Sequence, residues 1–222
     1  MNVFHQFPQL LRDLGITPRH LVHVGAHEGQ EMPWYREAGV PQVTLVEPIP
    51  ELAERLRARF PDVRVVECAC DAEPGTAVLH VMEPSNVSTL LDPQVDPGTG
   101  KLDRPTGRDI QVQVRTLAEI APDAQIAVVD AQGVELEVLR GAPWDSLELV
   151  IVEACTVPDR TIASPYWEVI AFAESIGWVE AGYWSRDYRF IVDFARGRTR
   201  GRARDAMPQG EVRDVILVRR PS

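Results

Sequence analysis

Leu21-Val22-His23-Val24-Gly25-Ala26-His27-Glu28-Gly29 runs a branched apolar strand straight into a short glycine loop. Outward from it, Val43-Thr44-Leu45-Val46 is a second apolar run, and it delivers Glu47 about twenty residues after the loop. A glycine loop after a strand removes the Cβ atoms that would keep a ligand away from the backbone. An exposed acid at the tip of the next strand can accept hydrogen bonds from both hydroxyls of a ribose. The pair reads as the seat of a nucleoside-containing cofactor on an α/β sheet. A dinucleotide fold would need G-x-G-x-x-G with a pyrophosphate on the helix amides. Gly25-Ala26-His27-Glu28-Gly29 lacks the middle glycine and holds a carboxylate where a phosphate would be repelled. A cationic nucleoside fits better, and S-adenosylmethionine is the common one.

The rest of the chain alternates strands and helices. Helical spacing of Phe4, Phe7, Leu10, Leu11 and Leu14 predicts an N-terminal helix over 1–19, followed by a single domain over 20–222. Strands are expected at 21–25, 43–47, 63–69, 77–82, 110–115, 126–130 and 149–153. Helices are expected near 30–38, 51–60, 117–120 (capped by Thr116), 134–140 and 166–176. Residues 83–109 are rich in Pro, Gly, Ser and Asp and read as a long loop, of which 86–109 is expected to act as a lid. Two late strand-like runs, 188–194 and 212–219, read as a C-terminal antiparallel hairpin. Alternating elements of this kind imply a mostly parallel sheet flanked by helices.

Composition narrows the class. The 222 residues, 45% apolar and 25% charged, suit one soluble domain. No apolar run approaches the roughly twenty residues of a membrane span, and the start lacks a signal-peptide pattern, so a cytoplasmic protein is expected. A net charge of −10 argues against nucleic-acid binding. Cys68, Cys70 and Cys155 read as buried reduced thiols. No Cys/His spacing calls for a metal.

Ligands of open α/β sheets bind beyond the carboxyl ends of the strands. That rule selects Gly25, Ala26, His27, Glu28 and Gly29, then Glu47 and Pro48, then Cys70 and Asp71, and then Asp130, as the cofactor-binding set. So many acids on one edge repel unless a cation sits among them, which a sulfonium and an ammonium would supply. Asp130 and Glu153 are the leading catalytic carboxylates, with His27 third because imidazole titrates near neutral pH.

The motifs Val24–Gly29, Val46-Glu47-Pro48, Ala69 with Gly75, and Asp130-Ala131-Gln132-Gly133-Val134-Glu135 through Gly141-Ala142, followed by Glu153, resemble the FkbM family of methyltransferases. The resemblance spans roughly residues 20–155. It implies a class I, Rossmann-like methyltransferase fold, S-adenosyl-L-methionine as cofactor, and O-methylation of a sugar or natural-product hydroxyl. The acceptor would be a small molecule or carrier-bound. Two positions depart from the family's usual pattern: His23 stands where an acid is common, and Val128 where a lysine is common.

Each position also has a structural role open to it. Gly25 and Gly29 would serve a tight turn, Asp71 a turn before Pro74-Gly75, Asp130 a helix cap, and Glu135 the helix dipole. The arginines between 196 and 204 read first as a solvated connector and second as a fork for an anionic substrate group. Two other functions stay open: a nucleotide-dependent oxidoreductase, and a cofactor- or partner-binding module without turnover.

Overall fold

A computed structural model describes residues 3–91, 104–156, 163–183 and 212–219. Ten strands occur among them: β1 (His20–Val24), β2 (Gln42–Val46), β3 (Arg64–Val66), β4 (Ala69–Cys70), β5 (Gly75–Glu83), β6 (Arg104–Arg115), β7 (Ile126–Val129), β8 (Leu149–Cys155), β9 (Trp178–Tyr183) and β10 (Val212–Arg219). The helices are α1 (Phe7–Leu14), α2 (Met32–Glu37), α3 (Pro50–Arg59), α4 (Leu117–Ile120), α5 (Glu135–Arg140) and α6 (Tyr166–Ser175). No helix of the described residues is long and apolar enough to cross a membrane.

Seven strands form one sheet in the order β3-β2-β1-β7-β8-β10-β9. β10 runs antiparallel to both of its neighbours and the rest are parallel, giving the α/β sheet that the alternating pattern predicts. The order reverses between β1 and β7, so the loops after them open into a crevice. Both central strands are buried throughout, which is why they read as continuous apolar runs. Alternate residues serve opposite faces: Val22, Val24, Val129 and Val152 pack on one side, Leu21, Leu45, Ile126 and Ile151 on the other. The second face also receives Phe4, Phe7, Leu10 and Leu11 from the N-terminal segment. Burying a side chain such as Phe7 contributes about 1.5–3 kcal/mol, so that segment is part of the core.

β1 carries two histidines into the interior by satisfying each ring. His20 shares hydrogen bonds with Asp123 at 3.1 Å and the Thr44 hydroxyl at 2.9 Å, and His23 Nδ1 shares one with the Tyr35 hydroxyl at 3.1 Å. Thr116 caps α4 as expected, accepting from the Glu119 amide at 3.1 Å, while the Glu119 carboxylate accepts from the Thr116 amide at 3.0 Å.

Four expectations change. The strand expected at 63–69 is two pieces: β3 edges the large sheet, then the chain leaves it so that β4 pairs with β6 in a second sheet, ordered β4-β6-β5. The loop expected at 83–109 is shorter, because β6 already pairs with β5 from Arg104. Pro105 and Gly107 hid this strand; they sit beside a register shift at Val81/Met82, where ladder hydrogen bonds are interrupted. The partners of β10 are β8 and β9, and β9 was not expected. Its alternation is broken at Ala181, which is skipped by a bulge opposite Ile216/Leu217. Residues 188–194, expected as the hairpin partner, lie outside the described residues, as do the arginines of 196–204 and part of the expected lid.

Candidate active site

At the reversal point the tips of β1, β2 and β7 are laced together. The Gly25 and Ala26 amides both donate to the Val46 carbonyl at 3.0 Å, and the Asp130 amide donates to the Val24 carbonyl at 3.1 Å. A Cβ on Gly25 would lie 1.8 Å from the Asp130 carbonyl oxygen, and its φ is +77°. The glycine is therefore demanded by the neighbouring strand tip, whereas the sequence suggested room for a ligand. Gly29 is likewise held by protein: its missing Cβ faces Phe60 and Leu56 of the α3 segment, at 2.7 and 3.0 Å.

Glu47 is not the exposed acid expected at a strand tip; only 4% of it is exposed. One carboxylate oxygen accepts from the His27 amide at 2.8 Å and the other from the Ile49 amide at 2.9 Å. Burial pushes its pKa up to about 7 against the downward pull of those two amides. Glu47 thus ties the β1 loop to the start of α3. His27 adopts φ +46° and shares a hydrogen bond of 2.9 Å between Nε2 and the Ser85 hydroxyl, so the loop also touches the short 3-10 turn Ser85–Val87. Burial lowers the His27 pKa, with Glu28 and Glu31 raising it in part and Arg55 lowering it.

The acids form the other end of the crevice. The Gln132 side-chain amide donates to Asp130 Oδ1 and, at 3.3 Å, to Glu153 Oε2. Asp214 of β10 pairs directly with Glu153 of β8. Burial first, then the neighbouring acids, raise Asp130 to about 7 and Glu153 to about 9. Carboxylate oxygens of Asp130, Glu135 and Glu153 lie within 4.8 Å of one another. Those of Glu135 are already committed: Oε1 accepts from the Ala131 and Gly133 amides, at 3.1 and 2.9 Å, and Oε2 from the Ser164 amide at 2.6 Å. Glu135 staples the turn after β7, so of these three acids Asp130 and Glu153 are the two not committed to backbone amides.

A cleft of about 970 Å³, counted out to its open mouth, connects these parts. Of the expected cofactor set, Gly25, Ala26, His27, Glu47 and Pro48 line it, as do Cys70 and Asp130. Glu28, Gly29 and Asp71 stand off its wall: Glu28 is exposed near Arg55, and Asp71 accepts from the Ala72 amide in a turn. Glu153 meets the cleft through Gln132. Gln132, Ser85 and Asp214 also line the cleft and were not among the expected site residues. Gln132 had a signal, since it follows a central strand; Ser85 and Asp214 had none, because each arrives from a remote element.

Residues 23–190 match the family model for the methyltransferase FkbM domain. This chain belongs to the FkbM methyltransferase family. The solved structures that resemble this FkbM methyltransferase include a proposed RNA methyltransferase from Pyrococcus horikoshii, with a TM-score of 0.54 at 11% identity, covering 99% of this chain and 84% of that one. Another is the magnesium protoporphyrin IX methyltransferase of Synechocystis PCC 6803 with bound S-adenosylhomocysteine, at a TM-score of 0.50 and 8% identity, covering 97% and 81%. At such identities the likeness establishes the fold, and the substrates belong to those proteins. Comparison with curated proteins gives no match.

S-adenosylmethionine is the cofactor of this FkbM methyltransferase, and the residues suit it. An ionised carboxylate has about four lone-pair positions, so Glu47 can hold two backbone amides and still accept from ribose hydroxyls. The acids beyond it provide negative potential for a sulfonium and an ammonium, where a pyrophosphate would be repelled. That removes the ground for an oxidoreductase.

Proposed function

We propose that this FkbM methyltransferase methylates a hydroxyl on a sugar or natural-product intermediate, free or carrier-bound. The observation that supports this reading is the bonded group Asp130–Gln132–Glu153 at the carboxyl ends of β7 and β8. S-adenosylmethionine, when bound, supplies a methyl group activated by a sulfonium leaving group. A hydroxyl acceptor must lose its proton as its oxygen attacks, which calls for a base within reach.

Asp130 is our candidate for that base, with Glu153 beside it through Gln132. Burial raises both carboxyl groups, and Asp130, at about 7, titrates close to working pH. Glu47 would hold the ribose end, and the Ala26–His27 backbone it anchors would seat the nucleoside. Alignment of the acceptor oxygen with the bond being broken can supply about 7–11 kcal/mol, and the hydrogen-bonded tips of β1, β2 and β7 would hold the cofactor for it. His27, bonded to Ser85, is the remaining candidate base and joins the β1 loop to the cleft's outer wall.

The test is to incubate the protein with methyl-labelled S-adenosylmethionine and a panel of sugar, polyketide and peptide hydroxyls. A mass gain of one methyl on a hydroxyl compound supports the reading. Transfer to nitrogen or carbon alone, or binding with no transfer to any acceptor, would sink it.

A further inference from the structure

Gln132 is built into the crevice more firmly than a loop glutamine needs to be. Its φ is +50°, in the left-handed region that favours glycine, and Gly133 follows at +111°. The Gln132 carbonyl accepts from the Thr89 hydroxyl at 2.7 Å, and the Gly133 amide donates to the buried Glu135 at 2.9 Å. The backbone is thus pinned on both sides in an unfavourable conformation. What that conformation achieves is the placement of one side-chain amide between two acids.

The two contacts are unequal. Gln132 Nε2 lies closer to Asp130 Oδ1 than to Glu153 Oε2, which is 3.3 Å away. An amide N–H donates, and a hydrogen bond to an ionised acceptor is stronger than one to a neutral acceptor. Gln132 therefore favours the charged form of Asp130 over that of Glu153. Glu153 meets the opposite influence. Asp214 faces it from β10, and Asp130 and Glu135 add negative charge from the β7 tip and α5. Glu31, before α2, and Asp214 act on Asp130 in the same sense, and the Tyr35 phenol of α2 feels all three of Glu31, Asp130 and Asp214. Two acids so placed share one proton at neutral pH.

We propose that Gln132 is a positioning residue that gives the two acids opposite roles. Its amide holds Asp130 as the acceptor of the hydroxyl proton and leaves Glu153 as the partner that keeps its own. The inference rests on the proposed hydroxyl methylation. Asp130 takes the hydroxyl proton, the oxygen's electron pair forms the new bond to the methyl carbon, and the C–S bond breaks with its pair passing to sulfur. Glu153 begins and ends protonated, available to donate a hydrogen bond. Burial raises both carboxyl groups, with Asp130, Glu135 and Asp214 adding to the rise at Glu153 and the Gln132 amide opposing the rise at Asp130.

Carboxyl-carbon NMR titration of the full chain tests this without any methyl acceptor, so a failure of methyl transfer and a failure of this proposal are separate results. Asp130→Asn and Glu153→Gln assign the two resonances. In the unaltered protein Asp130 should ionise before Glu153, and the Gln132 side-chain amide resonance should move as Asp130 titrates. In Gln132→Met, Asp130 should need about one pH unit more to ionise, a tenfold gain in proton affinity. An unchanged circular dichroism spectrum should accompany the shift, so that ionisation and not the fold has changed. With an acceptor in hand, turnover lost at neutral pH should return as pH rises. An Asp130 midpoint unmoved in a Gln132→Met protein that still binds S-adenosylhomocysteine overturns the proposal. So does the reverse order of ionisation, or an amide resonance flat across the titration, and both are read on the unaltered protein even if Gln132→Met does not fold.

Discussion

Glu153 and Asp214 stand directly opposite each other in the antiparallel pairing of β8 with β10, two acids where the ladder would ordinarily place compatible partners. Like charges in that relation destabilise a sheet by up to about 1 kcal/mol. Their juxtaposition makes sense at an edge that receives a cationic cofactor.

Asp214→Asn should therefore stabilise the cofactor-free protein, and only on the alkaline side. Glu153 is raised from 4.5 to about 9, so its ionisation is harder in the folded than in the unfolded chain. The folded state accordingly loses stability as pH rises between those two values, and loses none below the lower one. Removing the Asp214 charge lowers the upper value and recovers up to about 1 kcal/mol above pH 9, where Glu153 is ionised in both states, with little change near pH 5. Melting curves at both values check it; equal shifts would show that Asp214 does not act through Glu153.

Glu47→Ala should lower both stability and cofactor affinity. The substitution leaves the His27 and Ile49 amides without their acceptor, at about 1–3 kcal/mol for each buried group left unsatisfied. Loss of hydrogen bonds from the ribose to a charged acceptor adds about 1.5–3 kcal/mol to the binding deficit. Denaturation and calorimetry with S-adenosylhomocysteine measure the two effects separately. Unchanged stability would mean that the carboxylate does not hold the loop.

Gly25→Ala should be far more damaging than Gly15→Ala, although both glycines have φ near +70°. Gly15, with φ +68°, has nothing within 4 Å of a new Cβ, whereas at Gly25 that atom meets the Asp130 carbonyl at 1.8 Å. We expect about 1 kcal/mol at Gly15, from conformation alone. At Gly25 we expect about 3–5 kcal/mol, because two strand tips must separate. Similar losses at both sites, read from urea midpoints, would contradict the close approach of β1 to β7.

S-adenosylhomocysteine should raise the melting temperature, and NAD should not. A ligand that binds only the folded state at a hundredfold excess over its Kd stabilises by about 2.7 kcal/mol. A shift with NAD and none with S-adenosylhomocysteine would move the cofactor assignment away from the cleft beside Glu47.

Asp130→Asn should lower turnover more than cofactor affinity, and Glu153→Gln, whose amide still donates a hydrogen bond, should lower turnover less. A group that takes or orients the acceptor's proton acts mainly in the transition state, and its loss is expected to lower kcat by about 10²-fold or more. Single-turnover rates and S-adenosylhomocysteine affinities for the two variants provide the comparison. Near-native rates in both would direct attention to His27.

The strand, loop and helix order was legible because it rests on local signals. Short apolar runs in β1, β2, β7 and β8, the Thr116 cap, and the acids near the strand ends all act within a few neighbouring residues. Periodicity failed where a strand carried its own interruption, as at Pro105 and Gly107 in β6 and at Ala181 in β9. The single expected strand of 63–69 failed for another reason: its two halves belong to different sheets, and sheet membership is not a local property.

Gly25, Glu47, Asp130 and Glu153 could be named from the chain as candidate site residues, since strand ends on an open sheet face one crevice wherever the strands lie. What each of them does depended on its neighbours in space. Gly25 is required by the Asp130 carbonyl, Glu47 is buried between two amides, and Glu135 is consumed by the turn it braces. Asp214 reaches Glu153 only because β10 inserts antiparallel between β8 and β9. Pairing between distant segments is chosen by the free energy of the whole packed sheet, so such contacts, and the ionisation they impose, exist only once the chain has folded.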